Sequence, residues 1–308
     1  MTPILEVQQL SKRYGDVVAV DGVDLSVTGG EIFGILGLNG AGKTTMVECV
    51  QGLRRADSGS VRLLGRDPRR ERSVLASRVG CQLQDSNLPE RMRVSEAVKL
   101  FADRRVTRAA VAEWGLDQLW GKSFGALSGG QRQRLFIALA LINEPEIVFL
   151  DELTQGLDPS ARRVVWDLVK QIRDRGTTVV LVTHFTDEAE VLCDRVVVMR
   201  DGGFVAHGTP AELVDEHGPG VGVSFTDPQA EAGELRSICG VRSVGLSGDR
   251  VELRGDRQML AHVGAHLVET SRARGTALPI DLHVHEPSLE DAVLELIGPG
   301  APRTSSAA

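Results

Sequence analysis

Short apolar runs rich in β-branched residues recur through the first two thirds of the chain. Glu31–Leu36, Glu146–Leu150 and Thr178–Val182 are almost continuously apolar and are bounded by polar residues or glycine. This pattern is typical of strands buried on both faces, as in a parallel sheet flanked by helices. Ile4–Leu10 and Val17–Val27 alternate more, which predicts antiparallel strands with one face nearer to water. We therefore predict an α/β core with an antiparallel β subdomain.

A helical segment is predicted between these strands. No strand pattern occurs from Glu90 to Ala126, whereas Val94–Arg104 and Arg108–Trp114 have helical patterns. Together with the helical pattern that follows, they predict a small helical lobe over about residues 88–143.

The composition changes near Asp215, and His217–Gly220 has the glycine and proline content of a linker. We therefore expect a larger domain over residues 1–217, a smaller accessory domain over residues 218–298 and a flexible tail over residues 299–308.

The pattern of the smaller domain predicts alternating strands and helices of an α+β fold. The predicted strands are Val221–Phe225, Val241–Leu246, Val251–Arg254 and Leu278–Val284, and the predicted helices are Pro228–Cys239, Gln258–Arg272 and Ser288–Ile297. Ser247–Asp249 supplies a hairpin turn. The order βαββαβ, with a trailing helix, suggests a ferredoxin-like domain.

Composition narrows the classes of function. The chain has 308 residues and a formal net charge of −7, which argues against a protein that binds duplex nucleic acid. Its longest apolar run, Leu135–Ile142, is far too short to span a membrane, and residues 1–10 show no secretion signal. The four cysteines form no CxxC pair, so we expect reduced thiols and a cytoplasmic location.

A phosphate-binding loop follows the first buried strand. Gly37–Thr44 satisfies GxxxxGK[ST] and leads into a helical pattern, which is the context that this motif requires. Its glycines let successive backbone N–H groups point at phosphate oxygens, with Lys43 as a point charge and Thr44 as a Mg²⁺ ligand. The residues predicted to hold the nucleotide here are Asn39, Gly40, Ala41, Gly42, Lys43, Thr44 and Thr45.

Two carboxylates end the strand Ile147–Leu150. Asp151 and Glu152 lie at its carboxyl end, where open α/β sheets bind ligands. Asp151 is a candidate for holding Mg²⁺, and Glu152 is a candidate for orienting and deprotonating the attacking water.

A second candidate anion site opens the helical pattern Arg132–Asn143. Leu127–Gln131 reads LSGGQ, and a serine with two glycines at a helix start leaves backbone N–H donors free. With the phosphate loop upstream and the two carboxylates downstream, this segment resembles the ATP-binding subunits of ABC transporters. The resemblance covers about Ile4–Leu213.

The resemblance implies that two such chains associate head to tail. The signature residues of one chain would then close over the γ-phosphate held by the other; here they are Ser128, Gly129, Gly130 and Gln131. It further implies an adenine-stacking role for Tyr14, a Mg²⁺-sensing role for Gln84, a contact between subunits for Asp158 and a γ-phosphate contact for His184. Leu153 and Leu83 depart from the prolines usual in that family, and the helical lobe is short.

A finer resemblance concerns the daunorubicin and multidrug efflux subfamily. It is carried by the segments Phe33–Gly37, Thr183–Glu190, Cys193–Arg195 and Glu286–Asp291. It implies an ATPase chain on the inner face of the cell membrane, paired with a separate six-helix permease that exports a drug, antibiotic or lipid-like cargo. An importer subunit and a soluble ABC ATPase acting on ribosomes or DNA stay as alternatives.

Overall fold

The computed structural model describes residues 3–82, 87–102 and 107–298. These residues form two compact units that divide between Pro210 and Ala211. In the described ranges, no helix has the length and apolar character that a membrane span needs.

The first unit contains a six-stranded sheet and a three-stranded sheet. Its strands are β1 (Leu5–Tyr14), β2 (Val17–Val27), β3 (Ile32–Gly37), β4 (Ser58–Leu63), β5 (Val79–Gln82), β6 (Ile147–Asp151), β7 (Thr178–Thr183), β8 (Arg195–Arg200) and β9 (Gly203–Gly208).

The six-stranded sheet has the order β5-β6-β7-β3-β8-β9 and is parallel except for β9. Every residue of β3, β6 and β7 is buried, as their continuous apolar runs predict. Their carboxyl ends therefore meet at one edge of the sheet. The α/β prediction is confirmed.

The smaller sheet has the order β2-β1-β4 and is antiparallel. Its inward residues, among them Leu10 and Val20, share a core with Phe33 of β3 and Met46. The predicted antiparallel subdomain is thus present, and its core continues under the phosphate loop.

The helices of the first unit are α1 (Lys43–Val50), α2 (Arg72–Leu75), α3 (Val94–Phe101), α4 (Gly129–Leu141), α5 (Pro159–Asp174) and α6 (Thr186–Leu192). Two predictions in the helical lobe need correction. The helix predicted to start at Val94 ends at Phe101, and the segment Arg108–Trp114 is a 3₁₀ helix. Gly115, in the left-handed conformation, ends the segment after seven residues, and the 3₁₀ form is common in such short connecting pieces.

Helix α7 (Pro210–His217) leads into the second unit. The remaining elements are β10 (Val221–Thr226), α8 (Ala232–Arg236), β11 (Val241–Ser247), β12 (Arg250–Gly255), α9 (Met259–Arg274), β13 (His283–His285) and α10 (Leu289–Ile297). The antiparallel sheet order β11-β12-β10-β13 is that of a ferredoxin-like fold, as predicted.

Two predicted elements of this unit are shorter in the structure. Helix α8 covers only part of Pro228–Cys239 and contains Gly233, which disfavours helix. The strand predicted to start at Leu278 starts at His283. The Asp281 carboxylate accepts a hydrogen bond from the Thr226 N–H (3.1 Å). A side chain therefore replaces the next backbone hydrogen bond between β10 and β13.

Candidate functional site

The phosphate loop joins β3 to α1 through glycines in the left-handed region. The φ angles are 85° at Gly40 and 102° at Gly42. A β-carbon at Gly42 would lie 2.0 Å from the carbonyl oxygen of Ala19, so no other residue fits there without movement. The loop therefore delivers the unpaired N–H groups at the start of α1 to the carboxyl edge of the sheet.

Lys43 is the cation of this loop, and its side chain is buried (5% exposed). Its ammonium donates to the carbonyl oxygens of Gly37 (2.7 Å) and Leu38 (3.0 Å). Burial lowers the pKa of Lys43, and the negative charges of Glu152 and Asp151 oppose that shift. The lysine thus lies in the field of both predicted carboxylates.

Asp151 and Glu152 follow one another at the end of β6. Asp151 is buried, whereas the backbone of Glu152 turns into the left-handed region (φ 48°) and its N–H donates to the Val182 carbonyl (2.8 Å). Such a φ is costly for a non-glycine residue and is concentrated at functional sites. The chain therefore turns sharply directly after Asp151.

His184 follows β7, the neighbour of β6 in the sheet. Its Nδ1 lies 3.3 Å from Oε1 of Glu152, whose side chain is only 7% exposed. The acid and the histidine that the sequence predicts are therefore brought together.

The donor set near Lys43 fits Mg²⁺. The Thr44 hydroxyl stands beside Lys43 at the start of α1, and the Asp151 carboxylate is one of the two charges that act on Lys43. Hydroxyl and carboxylate oxygens are the hard ligands that Mg²⁺ takes in nucleotide sites. Gln84, the third predicted ligand, and Leu83 lie outside the described residues.

A second set of predicted residues lies at the starts of α4 and α5. The Ser128 hydroxyl accepts from the Gln131 N–H (3.4 Å), and Gln131 Oε1 accepts from the Ser128 N–H (3.1 Å), which forms a capping box. A β-carbon at Gly130 would lie 3.7 Å from that of Ala161. The start of the signature helix therefore packs beside the first turn of α5.

Asp158 caps α5. Its carboxylate accepts from the N–H groups of Ser160 (2.9 Å) and Ala161 (3.0 Å). Hydrogen bonds from the Ser160 hydroxyl and these N–H groups hold the pKa of Asp158 below its ordinary value. Leu153, which departs from the family's usual proline, is fully buried in the turn after β6.

Tyr14 lies at the end of β1 with 41% of its surface exposed. The Lys12 ammonium and the Arg54 guanidinium lie 5.5 and 5.4 Å from the centre of its ring. An exposed ring beside two cations can stack on a base that carries phosphates.

Three contacts of α5 and of the residues after β7 were missed from the sequence. Phe185 packs on the His184 ring, Arg162 packs on Phe185, and the Trp166 indole donates to the buried Glu188 (3.2 Å). Burial raises the pKa of the Glu188 carboxyl. Phe185 and Glu188 lie in the segment Thr183–Glu190, but the contacts of Arg162 and Trp166 with them arise only when α5 and α6 pack together.

A strand, a glycine-rich loop with a buried lysine, and paired carboxylates at the same sheet edge define a nucleotide hydrolase of the P-loop class. Comparison with known proteins identifies the family within this class. A family model described as "ABC transporter" matches residues 20–155.

Relatives resemble nearly the whole chain. Nod factor export ATP-binding protein I of Ralstonia nicotianae is 37% identical, over 96% of this chain and 94% of that protein. Daunorubicin resistance ATP-binding protein DrrA3 of Streptomyces coeruleorubidus is 36% identical, over 96% of each chain. A solved ATP-binding subunit of an ABC transporter, 25% identical, covers 69% of this chain and 92% of its own, with a TM-score of 0.63.

The chain therefore belongs to the ABC transporter family as one of its ATP-binding subunits, and it is an ATPase. The predicted family is confirmed.

The cap of α5 yields a stability prediction. Asp158→Ala removes the acceptor of two N–H groups and should lower the free energy of unfolding, whereas Asp158→Asn keeps an acceptor and should stay close to wild type. Urea unfolding followed by circular dichroism measures both. Wild-type stability of Asp158→Ala would show that the cap contributes nothing.

Proposed function

We propose that this chain energises an export transporter by hydrolysing ATP between two of its own copies. The observation that carries the proposal is the meeting of Lys43, Asp151, Glu152 and His184 at one sheet edge. Export is supported by the printed names of the two relatives, one for Nod factor export and one for daunorubicin resistance. An amphiphilic or drug-like cargo is the proposed class.

The nucleotide is held by the loop and its surroundings. Backbone N–H groups from Asn39 to Thr45 cradle the phosphates, the Lys43 ammonium contacts the β- and γ-phosphates, and Tyr14 stacks on adenine. Thr44, Asp151 and Gln84 would hold Mg²⁺. When bound, the ion neutralises charge that develops on the phosphate oxygens.

Glu152 acts on the attacking water. Its enclosed carboxylate accepts the proton as the water oxygen attacks the γ-phosphorus, while the bond from the γ-phosphorus to the β–γ bridging oxygen breaks and ADP leaves. His184, 3.3 Å from that carboxylate, braces the γ-phosphate. The chain's own residues thus orient the water and hold the group that is transferred.

The second copy completes the site. Ser128, Gly129, Gly130 and Gln131 sit at a helix start, whose N–H groups and dipole favour an anion. In their own chain Ser128 and Gln131 bond each other, and Asp158 bonds the first turn of α5. We therefore assign these residues to the γ-phosphate and the subunit contact of the opposite chain.

The transporter's membrane part is proposed to be a separate permease. It would hold this chain on the inner face of the cell membrane, and closure of the ATP-bound dimer would drive it between two states. The second unit, from Ala211 onwards, is proposed to act as an accessory domain in that assembly.

Glu152→Gln tests the general base. Turnover should fall by on the order of 10²-fold or more, because the amide cannot accept the proton. ATP should still bind, so the variant should accumulate as an ATP-bound dimer in size-exclusion chromatography. Steady-state phosphate release measures turnover.

The matched control is Glu190→Gln, the same change at an exposed position of α6. It should keep wild-type turnover. Equal turnover of Glu152→Gln and Glu190→Gln would remove Glu152 from the proposed role.

Co-expression tests the transporter role. The chain should co-purify in detergent with a six-span hydrophobic protein encoded beside it, and its ATPase rate should change in that complex. Purification of the chain without that protein, at an unchanged rate, would contradict the proposal.

A further inference from the structure

Nδ1 of His184 has no hydrogen-bond partner among the described residues, although such a bond usually orients a functional histidine. One ring nitrogen of such a histidine normally bonds a carbonyl or carboxylate, which fixes the ring. Here Nδ1 is buried, and among the residues that the structure describes no hydrogen bond to it is aligned. Glu152 Oε1 lies 3.3 Å from this nitrogen, but the two atoms do not form an aligned hydrogen bond.

The neighbouring side chain supplies a contact in its place. The ring of Phe185 lies 4.1 Å from the His184 ring, centre to centre, with 36° between the planes. Phe185 is itself held at the start of α6, because its N–H donates to the hydroxyl of the fully buried Thr183 (3.0 Å). The histidine therefore rests on a fixed aromatic face.

Arg162 of α5 packs on the Phe185 ring, which lies at the start of α6. Its guanidinium lies 4.6 Å from the centre of Phe185. It also donates to the Asp187 carboxylate of α6 (2.9 Å), and its side chain is 22% exposed. A planar cation held by an ion pair can keep one orientation on an aromatic ring.

Arg162 belongs to the turn that Asp158 caps. Its N–H donates to the Asp158 carbonyl (3.0 Å), so the two residues move with the same first turn of α5. A contiguous set of contacts thus runs from Asp158 through Arg162 and Phe185 to His184.

We propose that Phe185 and Arg162 are positioning residues, which set the orientation of the His184 ring and connect it to the Asp158 loop. This inference rests on the proposed function, in which His184 contacts the γ-phosphate and Asp158 contacts the second copy. A shift of the Asp158 turn would then change how His184 meets the nucleotide.

The test is a double-mutant cycle in the full chain. Phe185→Leu keeps an apolar side chain but removes the aromatic face, and it should lower kcat about tenfold because a misplaced group loses reactivity. KM for ATP should change by less than about twofold, since the loop around Lys43 is untouched. Phe185→Tyr, which keeps the ring, should retain most of the rate.

The same Phe185→Leu change is then made in a His184→Ala background. A residue that acts only through His184 should have no further effect there, whereas general damage to the fold would lower the rate again. Single-turnover hydrolysis resolves these slow rates. Val191→Ala, at an exposed apolar position of α6, is the control and should match wild type.

Arg162→Met repeats the test from a partly exposed position, in case Phe185→Leu fails to fold. Arg162→Met should lower kcat in the wild-type background, but it should not lower kcat further in the His184→Ala background. Wild-type kcat in both variants, or an equal loss in both backgrounds, would overturn the inference while leaving the proposed function intact. Wild-type kcat in His184→Ala alone would instead contradict the proposed role of His184.

Discussion

The site depends on a buried ammonium that faces carboxylates at the edge of a parallel sheet. Taking Lys43 out of water is unfavourable, and the structure offsets that cost with two loop carbonyls and with the charges of Asp151 and Glu152. Phosphate oxygens would be stronger partners for the ammonium than neutral carbonyls are. The loop therefore suits a polyanion. Its conformation requires glycine at position 42, because a β-carbon there would clash with the Ala19 carbonyl.

Helix starts supply the remaining donors, and they fall into two sets. The start of α1 lies with Lys43, while the starts of α4 and α5 pack side by side and carry Ser128 and Asp158. The second set bonds only to the first turns of its own helices in the described chain. This division is explained if each pocket combines the start of α1 from one copy with the starts of α4 and α5 from the other copy.

The sequence predicted much of this because the informative residues are local. Continuous apolar runs marked β3, β6 and β7, and the GxxxxGK[ST] spacing marked the loop. What it could not predict depends on contacts between distant elements. The strand predicted from Leu278 is cut short by the bond from Thr226 to Asp281, and the contact of Arg162 with Phe185 beside His184 exists only once α5 and α6 pack.

The claim that each pocket is shared between two copies is tested most directly by mixing two inactive variants. Lys43→Ala disables the loop, and Ser128→Arg disables the signature helix while sparing nucleotide binding. In a head-to-tail pair of unlike chains, one pocket combines the intact halves, so the account predicts that an equimolar mixture regains up to about a quarter of the wild-type rate. A mixture as inactive as either variant alone would contradict it.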